Sequence, residues 1–156
     1  MKFTDGFWRN REGVEIYNAN RVYDLETDEG SITAYAPYFD VSNRGQTLWG
    51  PLLTYRLSAP VEGVIRVQIW HFKGAALKGP FFPFETESPS PARIEDGPEE
   101  AVIRSGKLEA RLAKKGPWSL AFYEGGRRLT DSGLKNSGCV KLADGSAYMK
   151  EQLALD

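Results

Sequence analysis

Lys107-Leu-Glu-Ala-Arg-Leu-Ala-Lys114, followed after Lys115-Gly-Pro117 by Trp118-Ser-Leu-Ala-Phe122, decides the fold. In the first segment Leu108, Ala110 and Leu112 share one face, while Lys107, Glu109 and Arg111 share the other. Apolar residues at every second position suit a strand half-buried on a sheet and not a helix, whose period is about 3.6 residues. Trp118, Leu120 and Phe122 repeat the alternation, and Lys115-Gly116-Pro117 reads as a turn. The pair therefore predicts a hairpin with a loop of the three-residue class.

Working outward, Val22 to Thr27, Ser31 to Ala36, Leu52 to Ala59 and Gly63 to Lys73 are further strand candidates. Turn signals at Asp28-Glu29-Gly30, Asn43-Arg44-Gly45 and Pro60-Val61-Glu62-Gly63 separate them. In the longest of these, Ile65, Val67 and Ile69 share one side, and the other side, with Arg66, Gln68 and Trp70, is mixed as on an outer sheet face. Gly125-Gly126 turns another hairpin, and Tyr148 to Leu155 gives a last strand. Pro80 to Pro98, with five prolines, reads as a long connection. No amphipathic helix of ten or more residues is evident. Short strands with Gly, Pro, Asn and Asp turns and no intervening helices predict an all-β, antiparallel β-sandwich. The run ending at Asp156 still alternates, so the sandwich is expected to be cut short of its final strands.

At 156 residues the chain is of single-domain size and can bury a real core. A net charge of -1 offers no basic face for nucleic acid or an acidic membrane surface, and no apolar stretch approaches membrane-spanning length. Cys139 is the only cysteine, which excludes an intrachain disulfide and a thiolate zinc cluster. With no signal-peptide pattern at Met1 to Trp8 and no Asn-x-Ser/Thr sequon, the expected location is the cytoplasm.

The chemistry-bearing residues are sparse. His71 is the only imidazole and follows the apolar parity of Ile65, Val67 and Ile69, which suits packing better than base catalysis. Cys139 has no basic neighbour closer than Lys141 and reads as a small buried apolar residue. The acidic run Glu95-Asp96-Gly97-Pro98-Glu99-Glu100 lacks the spacing of a calcium loop and reads as a solvated turn. Glycoside hydrolysis needs two carboxyl groups about 5 to 9 Å apart. Among 21 acidic residues some pair meets that by chance, so no catalytic residue, metal ligand or cofactor site is assigned.

Aromatic side chains are more informative, because sugars stack their apolar faces on rings. Of Trp8, Trp49, Trp70 and Trp118, the last two lie in strand patterns and are expected to pack in the core. Trp49, in Leu48-Trp49-Gly50-Pro51, and Phe81, Phe82 and Phe84, in a proline-stiffened loop, are the candidate carbohydrate or interdomain contacts. Self-capping of the sandwich and docking on another domain both fit that loop.

Met1 to Trp8 (MKFTDGFW), Gly63 to Ala75 (GVIRVQIWHFKGA), Gly79 to Phe84 (GPFFPF), Lys114 to Phe122 (KKGPWSLAF) and Lys135 to Gly138 (KNSG) before Tyr148-Met149 together resemble the amino-terminal region of bacterial α-xylosidases of glycoside hydrolase family 31. The likeness runs in order over nearly the whole chain. It implies a galactose-mutarotase-like sandwich, here residues 1–156, preceding a (β/α)8 barrel that supplies an aspartate nucleophile and an aspartate acid. Neither catalytic position falls in this sequence. The resemblance thus implies a non-catalytic domain that packs on its own barrel and shapes access to the pocket. It also implies α-linked xylosyl or glucosyl saccharides for the whole enzyme, with room for homo-oligomer contacts. A self-contained carbohydrate-binding module using Trp49, Phe81, Phe82 and Phe84 is the alternative.

Overall fold

Alternation in residues 108–124 forms the expected hairpin: β10 (Leu108–Ala113) pairs antiparallel with β11 (Leu120–Glu124), setting Ala110 opposite Phe122 and Leu112 opposite Leu120. The computed structural model describes residues 3–6, 9–71 and 92–154. The hairpin connection is wider than a three-residue loop. It closes where Ala113 N donates to Ser119 O at 3.0 Å, and Trp118 leaves the ladder because its N–H donates instead to Asn20 O at 2.7 Å.

Around this hairpin, β12 (Arg127–Ser132), β11, β10, β9 (Glu100–Ser105) and β8 (Arg93–Asp96) form a five-stranded sheet in that order. Gly125 and Gly126 turn β11 into β12 with φ of 55° and 85°. A pair of positive φ values is what a tight hairpin turn demands and what side chains resist. The order β4 (Asp24–Thr27), β5 (Ser31–Pro37), β6 (Leu52–Ser58), β7 (Arg66–Trp70) makes a four-stranded sheet. A three-stranded sheet holds β14 (Ala147–Glu151), β13 (Ser137–Leu142) and β3 (Val14–Asn18), and a ribbon pairs β1 (Thr4–Asp5) with β2 (Arg9–Asn10). Every pairing is antiparallel, and the described residues contain a single turn of 3₁₀ helix, Arg44–Leu48.

The fold is the antiparallel β-sandwich that the period of two predicts. From the four-stranded sheet Ile32, Ala34, Ala36, Leu53, Tyr55 and Leu57 meet Ala101, Ile103, Ala110, Leu112 and Leu120 of the five-stranded sheet in one cluster. Each large aliphatic side chain buried there contributes roughly 1.5–3 kcal/mol. Cys139 enters the same cluster from β13, as a buried free thiol. Trp118 plugs it, 1% exposed, with its ring centroid 4.1 Å from that of Tyr55. Tyr55 Oη donates to Ser137 Oγ at 2.7 Å, tying the four-stranded to the three-stranded sheet inside the core.

Two further expectations need correction. Residues 93–96, assigned to a long connection, form β8, because Ile94 points to the core opposite Ile103 while the Glu95 carboxylate meets Arg104. The remainder of that connection, up to residue 91, lies outside the described residues. Trp70 shares the outward parity of Arg66 and Gln68 and is half-buried outside the core cluster, whereas Val67 and Ile69 pack on it.

Candidate functional site

Between β5 and β6 the chain leaves the sheet at Tyr38 and returns at Pro51, and this excursion carries Trp49. Asn43 caps its 3₁₀ turn, with Oδ1 accepting from Gln46 N at 3.3 Å. The Gln46 Oε1 reaches back and accepts from Ser42 N at 2.6 Å and Ser42 Oγ at 2.9 Å. Reciprocal bonds of this kind satisfy donors that a helix start otherwise leaves orphaned. Thr47 Oγ1 donates to Arg44 O at 2.7 Å, and Tyr38 Oη donates to Trp49 O at 2.9 Å. The turn is therefore held at each polar point.

On that support Trp49 remains 64% exposed, with Leu48, Leu52 and Tyr23 exposed near it. Its indole stacks on Phe39 at 5.9 Å between centroids and 21° between planes. Phe39 meets Tyr38 edge-on at 4.7 Å, and Tyr38 meets Tyr17 at 5.0 Å and 87°. The geometry suits rings, whose faces and edges carry opposite partial charge. The Tyr17 hydroxyl donates to Glu15, and this bond is the main cause of a pKa pushed up to about 12. Beside the row lies an open cavity of about 100 Å3, lined by Tyr23, Phe39, Val41, Thr47, Pro51 and Leu52 among others. Gly50 is fixed by this packing: a Cβ there would stand 2.1 Å from the Tyr38 ring.

Trp49 is thus the one candidate contact residue that the described structure places. Phe81, Phe82 and Phe84, and Trp8, lie outside the described residues. Tyr38 and Phe39 join Trp49, and Tyr23 lines the cavity beside them, without having been marked from sequence. The signal available was Asn43-x-x-Gln46, a helix-start spacing that identifies an ordered turn rather than a loose loop.

Elsewhere several carboxylates are engaged. On the outer face of the five-stranded sheet Arg104 bridges Glu95 and Glu109, and Arg111 bonds Glu109 at 2.8 Å and lies over the Tyr123 ring at 4.3 Å. The Arg111 and Arg104 contacts hold Glu109 below the usual carboxylate range, and Arg104 does so for Glu95. Backbone N–H and serine donors lower Asp28 and Asp144 in the same way. Every described carboxylate with a resolved shift moves down. A general acid needs the opposite, a carboxyl kept protonated near neutrality. No group of three or more His, Cys, Asp or Glu among the described residues is placed to hold a metal. His71 stands half-buried just beyond β7, and burial raises the Cys139 thiol pKa, away from nucleophilic character. No described helix is long and apolar enough to cross a membrane.

No protein-family profile matches the chain. The α-xylosidase XylQ of Lactiplantibacillus pentosus is 34% identical over 156 residues, 99% of this chain and 20% of its relative. An α-xylosidase of Emericella nidulans is 27% identical over 99% of this chain and 22% of its own length. The chain spans about a fifth of the length of these curated relatives. A crystal structure of an uncharacterised protein from Listeria monocytogenes EGD-e superposes with a TM-score of 0.57 at 14% identity, covering 81% of this chain and 11% of that one. That likeness is one of fold alone.

Proposed function

Along 99% of its length this chain is a relative of α-xylosidases, and from that premise we propose that it is the non-catalytic amino-terminal β-sandwich of a larger retaining α-glycosidase. The parent enzyme is a glycoside hydrolase of family 31, acting on α-linked xylosyl or glucosyl saccharides in the cytoplasm. Its catalytic barrel lies in the part of the polypeptide that this chain does not span. The sandwich packs on that barrel, with Trp49, Phe81, Phe82 and Phe84 as contact residues, shapes access to the pocket and leaves surface for homo-oligomer contacts.

One observation carries this reading: near-complete coverage of the chain against one-fifth coverage of its relatives. The carboxylates agree, since those with shifted pKa values are held ionised by arginine, serine and backbone donors. The purified chain is expected to leave an aryl α-xyloside unhydrolysed. Hydrolysis that disappears when one of the chain's own carboxylates is changed to an amide overturns the proposal.

A carbohydrate-binding module is the second reading, favoured by an exposed indole on a rigid turn. Titration with xyloglucan oligosaccharides separates the two. Saturable binding lost in Trp49→Ala supports the module, and no binding at millimolar sugar supports the docking domain.

A further inference from the structure

The surface beside Trp49 favours the first of those readings. The cavity there measures about 100 Å3 and has no charged side chain in its lining. An apolar cavity of roughly 150 Å3 stays dry and accepts benzene. The smaller space has room for one aliphatic side chain and opens to solvent.

Part of its polar lining is also engaged. Gln46 Oε1 already accepts from Ser42 N and Ser42 Oγ, the Thr47 hydroxyl donates to Arg44 O, and the Tyr38 hydroxyl donates to Trp49 O. A sugar entering would surrender bonds to water that this mostly apolar wall replaces only in part. An apolar side chain loses nothing of the kind. Tyr23 and Leu52 line the cavity and stand exposed, and Trp49, stacked on the lining residue Phe39, is exposed beside them, where an incoming protein surface would cover all three. Most of the length of the relatives lies outside this chain, so the same polypeptide can supply the occupant.

We infer that this cavity is a socket for a single apolar side chain from the catalytic portion of the polypeptide, with Trp49, stacked on the wall residue Phe39, as the contact beside it. The inference rests on the proposed function above. It adds which face docks, and that the contact is dry. Gly50 keeps the socket open, since a side chain there would drive Tyr38 out of its seat.

The test is amide hydrogen exchange on the 156-residue chain and on the full-length polypeptide, with the hairpin amides of Gly125 and Gly126 as the reference. Amides of residues 46–50 and 52 are expected to slow at least tenfold in the longer protein, and the reference amides to stay unchanged. Slowing confined to another face of the sandwich overturns the socket while leaving the docking domain intact. No slowing anywhere in the sandwich defeats both. Thr47→Phe, at an exposed position on the socket wall, fills the space and is expected to return residues 46–50 and 52 in the longer protein to the rates of the short chain. Retained slowing in that variant also overturns the socket. If Thr47→Phe misfolds, as judged by faster exchange at Gly125 and Gly126, Trp49→Ala is read by the same criterion.

Discussion

Trp118 and Trp49 each lie against an aromatic ring, yet one is 1% exposed and the other 64%. Trp118 shares the parity of Leu120 and Phe122, so the hairpin carries it into the core, against Tyr55. Trp49 follows no strand period. It rides a capped 3₁₀ turn and stacks on Phe39 at the surface. The difference teaches that ring stacking alone does not distinguish a buried tryptophan from an exposed one. The parity of the supporting backbone does.

The outer face of the five-stranded sheet gives the complementary case. There Glu95, Arg104, Glu109, Arg111 and Tyr123 engage one another, and the surface is finished against water. Exposed pairs of this sort contribute about 0.2–1 kcal/mol each, so they make a poor adhesive for another domain. The apolar rim near Trp49 has no such internal pairing.

The largest effect expected is for Trp118→Ala. Emptying that site should cost about 3–5 kcal/mol in urea unfolding, because the ring fills the centre of the cluster. Trp118→Phe should lose less, since the buried indole N–H has no acceptor among the described residues and its removal carries no hydrogen-bond cost. A loss below about 1 kcal/mol for the alanine variant would show that the ring is not a core element.

Next is Tyr55→Phe, which leaves the fully buried Ser137 hydroxyl without its donor. The expected cost is about 1–3 kcal/mol, with an unchanged dependence on denaturant. No change would mean that the link between the sheets adds nothing.

The smallest effect concerns acid. Asp28 accepts from Gly30 N at 2.9 Å, Ser31 N at 2.6 Å and Ser31 Oγ at 2.7 Å, and these bonds, Gly30 first, hold its pKa below the usual 3.8. The folded pKa is depressed, so the stabilisation is present above the ordinary carboxylate value and fades as pH falls through the lowered one. Asp28→Asn should flatten the stability profile below about pH 4. An identical acid limb in the variant contradicts this assignment.

Much of the fold was legible in residues 31–36, 52–59 and 107–122, because each strand there buries one face and the alternation survives in the residue types. β13 was harder to read. Ser137, Gly138, Cys139 and Val140 are all buried, so both faces are covered and no polar face marks the period. Gly138 adds a close approach: a Cβ there would stand 2.6 Å from Tyr17 O, a tertiary requirement with no local signature. At the candidate site Trp49 was legible as an indole with no strand to absorb it. Its partners Tyr38 and Phe39 were not, since the loop brings them to it through hydrogen bonds that Tyr38 and Thr47 donate and Gln46 accepts, which no period announces. The resemblance to α-xylosidases read from the ordered motifs agrees with the curated relatives.

The central claim is that Trp49 serves a contact outside this sandwich, and the most direct test is the Trp49→Ala shift in thermal midpoint, measured in the 156-residue chain and in the full-length polypeptide. In the short chain an exposed side chain away from the core should move the midpoint by less than about 2 °C. In the longer protein the sandwich transition should fall clearly further, as a buried aromatic contact is lost. Equal shifts in the two contexts would contradict the account.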